Sequence, residues 1–307
     1  MSWFVAAIAG HLLNAAAFIV DKTLLSSAFK RSGTYATVIG IFSSTILVLL
    51  PFVSLQQTND AWIAIAIFGS VFVVAMWAFF EALSRAETSR VVPVIGSLIP
   101  LFTLIDSAIF VNERLAPRVL LGLAFLLAAT VLLTRGGEKH RRLDTMTLGL
   151  CVSAAFLFAA SSVSGKYAFE HAPFMDAFVL SRVFSIVIAL AIPLFIPGVR
   201  EELRSIIQPK ESGHGPKPKN ALLMLAGQAS GALGFVGVQY AISLGSATVV
   251  NALQAVQYAA IVLVAWLGGA KLASLLKEDR SPNTILLKAV AIGLVGIGLA
   301  LVGLPVA

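Results

Sequence analysis

The chain has a single cysteine, Cys151, only four histidines and few charges in its 307 residues. One cysteine leaves no disulfide framework and no four-cysteine zinc site. Asp, Glu, Lys and Arg together make up 12% of the sequence, about half the share usual in globular chains. That is too little to cover the surface of one or two soluble domains of this length. Catalytic signatures are missing too. Ala160 to Lys166 ends in Gly-Lys, but the leading glycine of a phosphate-binding loop is absent and Tyr167 follows the lysine. Neither His-Glu-x-x-His nor Gly-x-Ser-x-Gly occurs. An ATP-driven pump, a hydrolase and an intramembrane enzyme are therefore disfavoured, and no cofactor or metal is expected.

Apolar residues fill the space instead: 58% of the chain is hydrophobic and the mean hydropathy is +0.93. A bilayer-crossing helix takes roughly 20 apolar residues. Apolar runs lie near 3–25, 34–55, 61–84, 91–111, 117–134, 147–168, 175–196, 221–244, 248–268 and 285–304. They are too long for strands and lack the alternation of an outer-membrane barrel. The expected fold is an all-α polytopic membrane protein with ten transmembrane helices. Met1-Ser2-Trp3 offers no basic segment before the first run, which continues past the length of a signal core. It reads as the first membrane helix.

The formal charge of +7 does not point to nucleic acid here, because lysine and arginine collect in the cytoplasmic loops of membrane proteins. Loops after even-numbered runs carry only Arg114, Arg118 and Lys166, whereas loops after odd-numbered runs carry basic clusters over 135–142, 200–219 and 271–280. The positive-inside rule puts the odd-numbered loops in the cytoplasm and both termini outside. The stretch 198–220, with Pro209, Gly213, Gly215, Pro216 and Pro218, reads as a flexible loop opened by a short surface helix over 199–207.

The sequence also repeats itself. Lys22 aligns with Lys166 at an offset of 144, and Ala82-Leu83-Ser84 aligns with Ala241-Ile242-Ser243 at an offset of 159. The longer connection between the seventh and eighth runs accounts for the growth. Five spans per copy is an odd number, so the second copy sits inverted, the architecture of secondary transporters. The alternative is chance similarity among apolar helices. The expected organisation is a first five-helix repeat over 1–135, a basic connecting loop over 136–146, and a second repeat over 147–307 that contains the polar loop 198–220.

The stretch from Phe80-Glu81-Ala82-Leu83-Ser84 to Pro93, followed by Ile99-Pro100-Leu101-Phe102 and Asn112-Glu113-Arg114-Leu115, resembles the degenerate "Y-x-A-L … A … P … P … G-E-R-L" run of EamA-like transporters in the drug/metabolite transporter superfamily. Gln239 to Ala247 resembles the first part of that run. The second copy then departs from it, with Ala252 and Ala259 at the proline positions and Gly268-Gly269-Ala270-Lys271-Leu272 for the last motif. Arg182 resembles the family's arginine in the second helix of a repeat, where the first copy has Val38. The resemblance implies a ten-helix exporter of a prokaryotic cell inner membrane with cytoplasmic termini, the opposite of the charge bias.

Polar groups inside a bilayer are costly and usually face a cavity or the bundle interior. His11, Asn14, Asp21 and Lys22 share one face of the first helix. The repeat partners of His11 and Asn14, Ala155 and Phe158, are apolar, an asymmetry suited to binding a substrate without two-fold symmetry. A purely structural His–Asn pair is the equal alternative, and Asp21 and Lys22 suit the membrane interface. On the third helix Trp77, Phe80, Glu81 and Ser84 share a face, with Glu81 either lining a cavity or pairing with Arg85 at the surface. Asn251, Gln254, Gln257 and Tyr258 place four hydrogen-bonding side chains in the ninth helix. The expected midplane pocket is bounded by His11, Asn14, Trp77, Glu81, Gln228, Asn251, Gln254 and Tyr258. Arg182 is an anion anchor unless it pairs with Asp176.

His11 and Glu81 are the candidates for proton coupling, and Pro93 and Pro100 for a hinge in the fourth helix. Small-residue stripes on the eighth helix (Gly227, Gly231, Gly234, Gly237) and the tenth (Ala289, Gly293, Gly296, Ala300, Gly303) suit close helix packing; the second also suits a homodimer. The expected partners are a small-molecule substrate and membrane lipids, not nucleic acid. A secondary transporter of a small polar or amphipathic metabolite fits best. The rival is a non-transporting scaffold protein or a lipid-intermediate flippase subunit.

Overall fold

A computed structural model describes residues 2–28, 31–86, 88–134, 143–207, 218–269 and 281–303. Each of the ten expected runs is helical there, and no strand occurs among the described residues. The helices are α1 (Ser2–Ala28), α2 (Ser32–Ser43) continued by a 3-10 helix (Ser44–Phe52), α3 (Asn59–Arg85), α4 (Thr88–Phe110) and α5 (Pro117–Thr134). The second half holds α6 (Thr145–His171), α7 (Phe174–Phe195), the short α8 (Pro197–Ile207), α9 (Pro218–Leu244), α10 (Ala247–Ala252), α11 (Gln254–Leu267) and α12 (Pro282–Gly303). Seven of these segments are long and apolar enough to cross a membrane, with Ala247–Leu267 counted as one; Val94–Phe110 and Pro117–Leu133 are shorter apolar helices. Large apolar side chains such as Phe52, Phe195 and Leu267 stand almost fully exposed, which lipid accommodates and water does not.

Local chemistry sets the ends. Four helices (α5, α8, α9 and α12) begin at a proline, where the missing N–H is no loss. Thr58, Asp144 and Ser246 cap α3, α6 and α10, each side chain accepting a backbone N–H three residues on. After α4, Asn112 takes the left-handed conformation (φ 51°), and the N–H of Glu113 returns to the Ser107 carbonyl at 3.0 Å. Asparagine here takes the place that glycine usually holds in a left-handed helix cap, and the return bond reaches one residue further back than the usual six-to-one bond.

The second span is not one α-helix, as its apolar pattern suggests. It tightens to 3-10 at Ser44, where Ser43 and Thr45 hydroxyls bond back to the Gly40 and Phe42 carbonyls and Pro51 lies ahead. Serine and threonine bonded back to the preceding turn distort helices. The ninth span is interrupted at Leu253, between α10 and α11. The fourth, which carries Pro93 and Pro100, runs as one helix.

The helix pairings are ordered. α1 lies along α9, and α6 along α3; α2 packs on α7, α5 on α12, and α4 on α10. Exchanging each helix for the one five spans away maps this set onto itself. The exchange fails most strongly around α3, which also packs on α2 and α7, whereas the counterparts of those contacts, α9 with α7 and with α2, are weak at best; the packing of α5 on α11 and of α6 on α9 also lacks a comparable counterpart. The gap left beside α9 is where the cavity lies.

Glycine permits the closest approaches. Gly227, Gly231, Gly234 and Gly237 pack on Val20, Ala17, Asn14 and Gly10 of α1, as the eighth-helix stripe suggests. The tenth-helix stripe behaves differently. A Cβ on Gly293 or Gly296 would meet nothing within 4 Å, and α12 instead packs on α5 through Gly298 against Leu126 and Gly122. The side chains of Asp21, Lys22 and Pro93, the connecting loop over 135–142, the polar segment 208–217 and the basic stretch 270–280 lie outside the described residues. The expected surface helix is present as α8.

Candidate functional site

A cavity of about 1170 Å³ lies between the two halves. α1 contributes His11 and Asn14, α2 Ser32, Tyr35 and Ile39, and α3 the row Phe72, Met76, Phe79, Phe80 and Leu83. α6 and α7 add Phe158, Ser161, Ser162, Phe178 and Arg182; α9 adds Gln228, Phe235 and Gln239; α10 and α11 add Asn251, Gln254, Gln257 and Tyr258. Of the nine residues expected to bind substrate, His11, Asn14, Arg182, Gln228, Asn251, Gln254 and Tyr258 lie on this wall. Trp77 and Glu81 do not.

The α3 wall is rotated by about one residue from the expected face. Glu81 accepts from Ser32 Oγ at 2.6 Å and from Arg85 Nε at 2.8 Å, with a second guanidinium contact at 2.8 Å. This pairing turns the carboxylate toward the helix end, and Trp77 lies near Gly33. Phe72, Met76, Phe79 and Leu83 are thereby turned inward, a helical i, i+4, i+7, i+11 row.

His11 is 5% exposed, and its Nε2 lies 2.8 Å from the Val250 carbonyl. That carbonyl belongs to the last turn of α10, before the break at Leu253, where carbonyls have no N–H partner from their own helix. The imidazole supplies one; its Nδ1 has no hydrogen-bond partner among the described residues. Next along α10, Asn251 donates from Nδ2 to Thr103 Oγ1 of α4 at 3.0 Å. Nearer the same end, Thr248 donates to Glu113 Oε2 at 3.2 Å. The bonds from α10 to Thr103 and Glu113 tie it to the first half at the end where α4 finishes. From that tied end the wall runs toward the opposite end of the bundle, where it includes Arg31, Ser32 and Ser84. Tyr258 fits because Gly96 has no side chain: a Cβ there would lie 2.5 Å from the Tyr258 oxygen.

Arg182 is 2% exposed, and its guanidinium does not pair with Asp176, which instead accepts from Gln57 at 3.3 Å. Nε and Nη2 donate to Ser181 Oγ at 3.1 and 3.0 Å. The rings of Phe68, Phe72, Phe178 and Phe235 surround it at 5.0 to 5.5 Å. The cavity wall as described contains no aspartate or glutamate. The phenylalanines of this box and Tyr35 were not singled out by sequence, whereas Gln239 stands with Gln228 along the edge of the eighth-helix glycine stripe. Phenylalanine in an apolar span carries no signal of its own, and Tyr35 stands without a polar stripe around it.

A solved structure, described only as the crystal structure of a protein, superposes with a TM-score of 0.67 at 16% sequence identity, covering 98% of this chain and 96% of the other. At that identity the likeness is one of fold. A comparison with curated proteins finds no match. Residues 1–135 match the model of the EamA-like transporter family. That family is part of the drug/metabolite transporter superfamily, and the match joins the all-α polytopic architecture, with seven helices long and apolar enough to cross a membrane, in describing an integral membrane protein similar to EamA-like transporters over residues 1–135.

Proposed function

We propose that this transporter is a secondary active exporter of a small polar or amphipathic metabolite, working by alternating access around the central cavity. The observation that carries the reading is the cavity wall itself. Hydrogen-bonding side chains from α1, α9, α10 and α11 converge there although lipid-facing positions were available to none of them at less than several kcal/mol. The exchange symmetry of helix pairing supports two inverted five-helix repeats, 1–135 and 147–307. The polar ties at one end of the cavity suit one of the two states such a carrier visits. In this reading the Arg31–Ser32–Ser84 end, beside the odd-numbered loops, faces the cytoplasm in line with the charge bias, where an exporter loads. Proton coupling in this reading rests on His11, since Glu81 is engaged by Ser32 and Arg85 off the wall.

The test is efflux of a labelled metabolite mixture from proteoliposomes holding the full chain, with and without an imposed pH gradient. Efflux above protein-free vesicles is expected, lost in Asn251→Leu while that variant still purifies as a folded monodisperse protein. Efflux equal to empty vesicles for every compound, or unchanged in Asn251→Leu, sinks the proposal.

A further inference from the structure

Arg182 is a fully buried cation with no counter-ion among the described residues. Burying a charge is expensive unless it is paired, and chains usually place a carboxylate beside such an arginine. Here no acidic oxygen lies within 4 Å among the described residues, and the described cavity wall offers none at all. Four ring faces supply part of the compensation, since aromatic quadrupoles attract a guanidinium. They leave the hydrogen-bonding capacity unused.

That unused capacity has a direction. Ser181 Oγ takes the edge formed by Nε and Nη2. Nη1 is buried and has no hydrogen-bond partner among the described residues, so among them the opposite edge, formed by Nη1 and the second N–H of Nη2, is left open. A guanidinium edge of two parallel N–H groups matches the two oxygens of a carboxylate or similar oxyacid. The residue lines the cavity, so its free edge belongs to the space a transported molecule enters. Around it Phe72, Phe178 and Phe235, with Phe79 and Phe158 beyond, give apolar and aromatic walls. The Asn251, Gln254 and Gln257 side chains, from α10 and α11, line another part of the same wall.

We propose that Arg182 is the subsite for the anionic group of the cargo, and that the cargo is an organic anion with an apolar or aromatic body. The assignment rests on the transporter reading and narrows it. The wall carries Arg31 and Arg182 and no acid, so cations of the same size are rejected by repulsion as well as by the missing partner. Neutral analogues lose the charge-assisted bonds and leave the guanidinium buried and unpaired, a discrimination of at least about tenfold.

Equilibrium dialysis of the detergent-solubilised full chain against three matched probes tests this: 3-phenylpropionate, 3-phenylpropanamide and 3-phenylpropylamine. The carboxylate is expected to bind at least about tenfold more tightly than the amide, with the amine weakest. Arg182→Gln is expected to level the three, and Arg182→Lys to keep the order with a smaller gap, because the charge remains and the fork is lost. Equal binding of the three probes by the unaltered protein, no binding of any, or undiminished discrimination in Arg182→Gln overturns the assignment. The comparison within the unaltered protein stands even where a variant does not fold. Charge discrimination in dialysis without efflux from proteoliposomes sinks the transporter reading and keeps the anion subsite. Efflux that ignores substrate charge does the reverse.

Discussion

Gly69 sits where α3 crosses α7, so close that a Cβ built on it would overlap the Ser181 carbonyl. One bond depends on that proximity: Ser185 Oγ of α7 donates to the Gly69 carbonyl at 2.9 Å. The perturbation is Gly69→Ala. In a free helix it would gain about 1 kcal/mol from propensity. At this crossing the methyl must push two backbones apart, an overpacking cost of about 1–3 kcal/mol. Stretching the interhelical Ser185 bond adds about 0.6 kcal/mol. The balance is a net loss of up to about 3 kcal/mol, the sum of those terms less the propensity gain. Gly149→Ala is the control, because nothing lies within 4 Å of its Cβ position, and it keeps the propensity gain. The assay is thermal unfolding of the purified full chain in detergent, read by intrinsic fluorescence. Gly69→Ala should melt several degrees below the unaltered protein and Gly149→Ala at or above it. It should also weaken binding of 3-phenylpropionate, since Ser181 holds one edge of Arg182 and α3 brings Phe68 and Phe72 to it. A Gly69→Ala protein as stable as the Gly149→Ala protein would refute the close crossing.

Two further outcomes follow from single side chains. His11→Phe leaves the Val250 carbonyl buried without a donor, a cost of about 1–3 kcal/mol; His11→Gln restores part of it, and a melting temperature equal in the two variants would show that the bond contributes nothing. The Asp144 carboxylate, at the exposed start of α6, is held below its ordinary value by the Thr147 side-chain and backbone donors. Its contribution is therefore complete above the ordinary carboxylate pKa and is lost as pH falls through the lowered one. The melting advantage over Asp144→Asn should shrink between about pH 5 and about pH 2; a gap that widens on acidification contradicts the cap.

The helices and their apolar faces were legible in the sequence because bilayer-length runs leave no other structure available. The polar residues of α1, α9, α10 and α11 were legible for a related reason: in such a setting each asparagine, glutamine or histidine needs a partner or a cavity. Which side of α3 faces inward was not. Periodicity groups Trp77 with Glu81, but the choice between that face and the Phe72–Met76–Phe79–Leu83 face is made by Ser32 and Arg85 holding Glu81 at the helix end. The break in the ninth span was equally hidden. No proline or glycine marks Leu253, and the ring that takes the exposed Val250 carbonyl comes from His11, 239 positions away. Proline, the usual sign of a break, instead sits in α4, where the helix passes through it without interruption.

The polar ties of α10 have a thermal consequence. Asn251 to Thr103, Thr248 to Glu113 and His11 to Val250 join α10 to the first half. At about 0.6 kcal/mol for each such bond between membrane helices, together they weigh about 2 kcal/mol, a bias of roughly twenty to one. In the proposed alternating-access cycle, a clasp of that strength would keep one end shut most of the time, yet open spontaneously often enough to need no fuel of its own. A cargo would then have only to engage the same asparagine, or displace the imidazole, to shift the odds.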